Sequence, residues 1–374
     1  MTTRFHAAVG SLLVATILIS PLALADMTVN IGGRIQVDAV FFDDDVTNLN
    51  SGTEFRRARL FAEGDIDENW GYLLQLEFAT DDALIADGFI SYGLAGGKLL
   101  LGQSKVPFSL EEVTSSKYIT FMERSAAVNT FAPERRVGAI WYKTAGKMHY
   151  GAGIFGQNSN LDVDGDEGLG IGGRVAFAPI LHDDNVLHFG VNASLQEPTD
   201  TDAETVRFRA RPTAHVTGTR LIDTGVITNV NDTTYLGLEG AYVNGPFSAQ
   251  AEWIGTSVDR AASAGGDLTF DGYYAFVSWF LTGESRPYKG ATFGRVTPKN
   301  KRGAWEIAAR YQAIDLTDGN ITGGEQETIT LGVNFYINKY LRFMFNYSSA
   351  EVTGGVNGDE EPSVFMLRAA IDFK

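Results

Sequence analysis

The chain has 374 residues and a net charge of −16, from 46 acidic and 30 basic residues, and it has no cysteine. With 20% of its residues charged and no mature stretch of ~18 consecutive apolar residues, a bundle of membrane-crossing helices is excluded. The 42 Gly, 14 Tyr and 24 Phe favour a fold rich in turns and aromatic girdles, closed by hydrogen bonding without disulfides.

The chain opens on Arg4 and His6, followed by an apolar run from Ala7 to Leu24 broken by Ser11, Thr16, Ser20 and Pro21. Ala23-Leu24-Ala25 then supplies a small-x-small cleavage pattern. We expect residues 1–25 to be a signal peptide and 26–374 to form one barrel domain. Removing Arg4 with the leader leaves 29 basic against 46 acidic residues, a net of −17.

From there to the end, short segments alternate with period two. Thr28 to Phe42 sets Val29, Ile31, Ile35, Val37 and Phe41 against Asn30, Arg34, Gln36 and Asp38. Tyr72, Leu74, Leu76 and Phe78 oppose Gln75 and Glu77. Later, Trp305, Ile307, Ala309 and Tyr311 oppose Glu306, Arg310 and Gln312, and Leu341, Phe343, Phe345 and Tyr347 oppose Arg342, Asn346 and Ser348. The last strand sets Phe365, Leu367, Ala369, Ile371 and Phe373 against Met366, Arg368, Ala370 and Asp372, where a barrel would close on its first strand.

Connections between these segments fall into two classes. Those at Asp67 to Asn69, Ala95 to Gly97, Ala145 to Lys147, Asn244 to Pro246 and Asn338-Lys339 are tight. Those at Asp43 to Thr53, Pro107 to Glu134, Asn158 to Leu169, Glu197 to Thr233, Asp259 to Gly272, Thr317 to Glu327 and Val352 to Pro362 are long. Short turns at one end and long loops at the other predict an all-β, transmembrane antiparallel β-barrel of about sixteen strands in the outer membrane. Two stretches resist assignment: Gly283 to Gly303 is too long for a turn, and Val206 to His215 reads as either strand or loop.

A barrel of that size encloses water, so function depends on what lines it. By alternation Arg34, Arg57 and Arg59 face inward, with Arg56 at the mouth, and Arg207, Arg209 and Arg211 recur at period two with no carboxylate between or immediately after them. Guanidinium groups at successive stations offer bidentate donors to phosphate or carboxylate and repel cations. In the 107–134 loop, the apolar Tyr118, Ile119, Phe121 and Met122 predict that the loop folds into the lumen, leaving Ser115, Ser116, Lys117 and Arg124 at a constriction suited to an anion.

Gly32-Gly33-Arg34-Ile35-Gln36, Arg56-Arg57-Ala58-Arg59, Asp87 to Tyr92, Leu101 to Phe108 and Ser115 to Arg124 resemble the phosphate-selective porins of the O and P type. The resemblance implies a homotrimeric sixteen-stranded anion channel. Its arginine ladder would be Arg34, Arg57, Arg59, Arg207, Arg209 and Arg211, and its phosphate seat Ser115, Ser116, Lys117, Arg124 and the wall carboxylate Asp87. The partners expected are phosphate or other small anions, outer-membrane lipid and lipopolysaccharide, with no nucleic acid and no cofactor.

Glu111 and Glu112, and the acids at Asp43 to Asp45 and Asp359 to Glu361, depart from that pattern. They keep open a general or differently selective porin, for polyphosphate, sugar, small carboxylate or cation. Asp162 to Glu167 opens like a calcium loop but lacks the glycine and the terminal glutamate that such a loop needs. His6, His149, His182, His188 and His215 show no zinc or triad spacing, which disfavours an outer-membrane hydrolase.

Overall fold

A computed structural model describes residues 27–161, 165–199 and 204–374. The expected leader 1–25, Asp162 and Asp164 of the calcium-like loop, and Asp200 and Asp202 lie outside the described residues.

Sixteen antiparallel strands close into one barrel. They are β1 Asn30–Asp43, β2 Gly52–Asp65, β3 Trp70–Glu77, β4 Leu84–Leu94, β5 Gly97–Lys105, β6 Arg135–Ala145, β7 Met148–Phe155 and β8 Gly170–Leu181. Then follow β9 Asn185–Gln196, β10 Val230–Asn244, β11 Phe247–Arg260, β12 Leu268–Phe280, β13 Ala304–Asp318, β14 Ile321–Tyr336, β15 Leu341–Gly355 and β16 Ser363–Phe373. Each pairs with its chain neighbours, and β16 pairs with β1 from Gly33↔Phe373 to Asp43↔Ser363. Closure leaves no unpaired edge, the condition for strands to cross hydrocarbon.

Side chains divide as the period-two pattern requires. Ile31, Phe41, Ile329, Leu331, Phe365 and Ile371 face outward and are exposed, whereas Arg34, Gln36, Asp38, Thr330, Asn334 and Arg368 face inward and are buried. Aromatic pairs gather at the tight-turn end of the outer face: Trp305 stacks on Phe335 at 4.3 Å and Trp70 tilts against Tyr92 at 4.6 Å. These flank the apolar band as an interfacial girdle. Lys374, beyond the last strand, bonds Glu63 of β2, the strand on the far side of β1.

Among the described residues, the connections 106–134, 204–229 and 281–303 fold into the lumen. Residues 106–134, here loop 3, carry two short helices, α1 Leu110–Val113 and α2 Ala126–Phe131, capped by the Ser109 and Ser125 hydroxyls. The expected apolar anchors Ile119, Phe121 and Met122 are buried. Phe121 meets Phe276 of β12 edge-on at 5.5 Å. Wall glycines make room for the loop: a Cβ on Gly332 would lie 3.3 Å from the Phe121 ring, and one on Gly272 would lie 3.0 Å from Ala127.

Residues 204–229 also turn inward, and their Phe208, Ala210, Leu221 and Ile222 share one apolar cluster with loop 3 and the β10–β13 wall. Val206 to His215 is therefore loop, with Arg209–Ala210 paired to Ile222–Asp223 and Val206 bridged to Ile227. The third inserted segment, 281–303, enters from the tight-turn end, where its Phe293 packs with Leu110 of α1 and with Val186, Ala241 and Val243. Its length is explained by this insertion. By contrast, the loop expected from Thr317 to Glu327 is only a hairpin turn between Asp318 and Ile321, because β13 and β14 extend beyond the membrane band.

Phe121→Asp would place an unpaired carboxylate in the apolar cluster that pins loop 3. Single-channel conductance in planar bilayers is expected to rise and ion selectivity to fall. An unchanged current would mean that loop 3 stays docked without this anchor.

Candidate functional site: an arginine-lined channel

The inserted segments fill the lumen against β8–β16 and leave a cavity of about 670 Å³ against β1–β6. All eleven residues singled out from sequence line it: Arg34, Arg57, Arg59, Arg207, Arg209, Arg211, Ser115, Ser116, Lys117, Arg124 and Asp87.

The strand wall sets their heights. Arg34 and Arg59 are direct register partners on β1 and β2, and Arg57 faces Gln36 one step of two residues nearer the loop end, about 6.6 Å along the strand. A register shift at Gln36/Val37 breaks the alternation of β2, so that Arg56 as well as Arg57 turns into the lumen while Phe55 faces lipid. The bulge explains how Arg56, expected at the mouth, faces inward beside Arg57 although strict alternation would turn it to lipid. Arg207, Arg209 and Arg211 belong to the inserted 204–229 segment and not to a barrel strand. Burial of the intervening Phe208 and Ala210 in the apolar cluster sends the three guanidiniums to the other side, toward the channel.

Partners differ sharply along this row. Arg34 donates to Ser116 Oγ at 2.7 Å and to Gln75 Oε1 at 2.9 Å, and Arg57 donates to Gln36 Oε1 at 2.8 Å. Neither has a carboxylate partner among the described residues. Both are held by neutral acceptors, which fix the guanidinium without cancelling its charge. Arg59 pairs with Glu77 at 2.5 Å, and Arg56 makes a bidentate pair with Glu123 of loop 3 at 2.8 Å. Arg207 pairs with Asp223, from within the same loop, at 2.5 Å. The view of Arg207 as uncompensated is thereby corrected, because the carboxylate that meets it is sixteen residues away in sequence. Partial burial pushes Asp223 up, but the Arg207 hydrogen bond and the Gly225 N–H outweigh it and hold the carboxyl below its ordinary value.

Within the proposed seat, Lys117 has no carboxylate partner among the described residues and lies over the rings of Tyr118 at 5.2 Å and Phe61 at 5.9 Å. Arg124 is more constrained, pairing with Glu112 at 3.1 Å and donating to the carbonyls of Glu111, Glu112 and Thr114. Asp87 is taken by Arg135 in a bidentate pair at 2.9 and 3.1 Å. Glu111 and Glu112 are buried: Glu112 also bonds Lys105, and Glu111 accepts from the Ser125 N–H at 2.9 Å. These two acids hold the loop in place.

Sequence reading missed Lys105, Glu123, Arg135, His215 and Arg220, which also line the cavity. The Arg135-Arg136 doublet closing loop 3 was a visible signal, whereas the positions of His215 and Arg220 depend on how a long loop folds. Toward the tight-turn end the channel meets a smaller cavity of about 40 Å³, lined by Arg34, Lys117, Tyr118, Arg295, Lys339, Tyr340 and Asp372 among others.

A closed sixteen-stranded barrel, apolar outside and charged within, with loops folded into its lumen, is the architecture of an outer-membrane porin, a channel and not an enzyme. The chain belongs to the family of phosphate-selective porins O and P, whose sequence profile matches residues 29–373. It is 32% identical to Porin O of Pseudomonas aeruginosa, covering 92% of this chain and 88% of that one. It is also 32% identical to an uncharacterized protein of Caulobacter vibrioides, over 91% of this chain and 72% of that one. Similar solved folds include an anion-selective porin from Comamonas acidovorans, with a TM-score of 0.62 and 16% identity over 93% of this chain and 100% of that one. OmpT of Vibrio cholerae aligns with a TM-score of 0.60 and 14% identity over the same shares.

Arg57→Gln should lower the chloride-to-potassium permeability ratio about five-fold, for roughly 1 kcal/mol of lost attraction. Arg207→Gln, whose charge is already met by Asp223, should change it by less than half as much on the same logarithmic scale. Equal effects, measured as zero-current potentials, would refute the distinction between compensated and uncompensated rungs.

Proposed function

We propose that this porin passes anions preferentially and takes phosphate or related oxyanions at the narrow part of its channel. The observation that carries this reading is the pair Arg34 and Arg57, buried beside the channel on neutral hydrogen-bond partners. An entering oxyanion would accept from the 207–211 arginines, pass Arg56 and Arg57, and reach a seat formed by Arg34, Ser115, Ser116, Lys117 and Arg124, with Asp87 orienting Arg135. Several moderate sites conduct better than one deep site, because each must replace hydration and still release the ion. Fixed donors on strands and on a packed loop need no energy source.

We also propose that residues 26–374 are the mature barrel, that it assembles as a homotrimer, and that outer-membrane lipid and lipopolysaccharide surround it. The Vibrio cholerae neighbour is described in a trimer form, which supports the oligomer.

A second reading, a porin of different selectivity, is favoured by the acidic outer surface. Asp43, Asp44, Asp45, Glu351, Asp359, Glu360 and Glu361 line a cavity of about 530 Å³ at the loop end. Screening over ~8 Å at physiological salt limits their reach into the channel.

The zero-current potential in a potassium chloride gradient, repeated with phosphate added, separates the two. An anion-favouring potential and chloride current blocked by phosphate are expected, with the block weakened at least several-fold in Lys117→Ala and Arg34→Ala. A cation-favouring potential would support the second reading. Unchanged block in both variants would remove the seat from this region.

A further inference from the structure

His215 lies on the inserted 204–229 segment, and its Nδ1 is 2.7 Å from Glu54 Oε2 near the loop end of β2. The position is built. The His215 carbonyl accepts from Arg211 Nη1 at 3.1 Å, and the neighbouring Ala214 is buried in the cluster of Val40, Met122, Met344, Val364 and Met366. The ring lines the channel cavity together with Arg56, Arg57, Arg211 and Arg220. Its other nitrogen, Nε2, makes no hydrogen bond among the described residues, and Glu54 Oε1 is buried without a partner. Because a carboxylate can only accept, Nδ1 carries the proton in the neutral imidazole and Nε2 is left as an acceptor.

We infer that His215 is a titratable determinant of selectivity at the channel mouth. Neutral, it leaves the Glu54 charge in place and shows passing anions a lone pair. Protonated, it cancels that charge and presents an N–H donor, so anion preference rises as the pH falls. This inference rests on the anion-channel reading above and adds regulation of the same channel.

The charged groups facing His215 are Glu54 and Arg56 from β2, Arg211 from its own segment and Glu123 from loop 3. Burial pushes the imidazole below its ordinary value of 6.5. The Glu54 hydrogen bond works against that shift, and Arg56 and Arg211 add to it. The imidazole is therefore held neutral at pH 7, and its protonation is displaced toward acid. Proton uptake then adds one positive charge where two arginines and two carboxylates already meet.

The test uses the reconstituted protein in planar bilayers under a potassium chloride gradient, at about pH 7.5 and about pH 5, a span that brackets an imidazole. Chloride is the probe because phosphate changes its own charge over this range. Outer-loop carboxylates titrate too, so the readout is the difference between wild type and His215→Gln. The chloride-to-potassium permeability ratio is expected to rise about two- to five-fold more in wild type than in the variant, the range for one partly exposed charge. Glu54→Gln should raise the ratio at about pH 7.5 and shrink the response to acid. Identical pH responses of wild type and His215→Gln would overturn the inference. A cation-favouring potential in wild type at both pH values would instead overturn the anion-channel reading, which keeps the two failures distinct.

Discussion

Loop 3 crosses the interior of a membrane barrel as irregular backbone, and every peptide group in it must find a partner that a helix or sheet would have supplied. The wall provides them. Arg342 donates to the carbonyls of Ile119 and Thr120 at 2.8 and 3.0 Å, Asn334 to Thr120 at 2.9 Å and Arg310 to Glu123 at 3.0 Å, while Arg368 donates to Met122. In the other direction Asn346, Gln312 and Glu252 accept from the N–H groups of Met122, Ala126, Leu110 and Glu111. These side chains occupy successive inward positions on β11 and β13–β16. The sheet that excludes lipid outside therefore fixes the constriction inside, and the channel's width follows from strand register.

The same interactions settle how much positive charge reaches the lumen. Arg368 is buried between Asp38 at 2.6 Å and Glu123 at 2.7 Å, and Glu123 also holds Arg56. One loop carboxylate thus ties the closing strand, β2 and loop 3 together at the cost of neutralising a guanidinium that faces the channel. Across the lumen Arg174 and Glu239 form a bidentate pair that also engages His188, Asn192 and the carbonyl of Ala291. That pair anchors the 281–303 segment. Arginine in this protein has two uses, structural when it meets a carboxylate or the backbone of loop 3 and electrostatic when a side-chain amide or hydroxyl holds it beside the channel, and Arg34 and Arg57 are the clearest cases of the second.

Much of the fold was legible in the sequence because lipid on one side and polar lumen on the other impose a strict two-residue period. Ile329 to Tyr336 and Val364 to Phe373 show it without a break. The inward turn of loop 3 was legible for a related reason: Ile119, Phe121 and Met122 have no place in a solvated loop. What could not be read depends on contacts distant in sequence. The bulge at Arg56 appears only when β2 is laid against β1. The Arg207–Asp223 and His215–Glu54 pairs exist because a long loop folds back on itself and on the wall. The insertion of 281–303 was visible as an anomaly of length and unreadable as geometry.

The pairing of β16 with β1 joins residues more than three hundred positions apart, such as Gln36 and Ala370. Contacts that far apart in sequence form late and slowly. Until the last eleven residues arrive, β1 and β15 present open edges with unmatched backbone donors and acceptors, a template for pairing with other chains. The β16–β1 pairing is the seam on which the barrel closes. The clasp of Arg368 on Asp38 and Glu123 lies on this seam, so the contact that completes the wall also fastens the constriction.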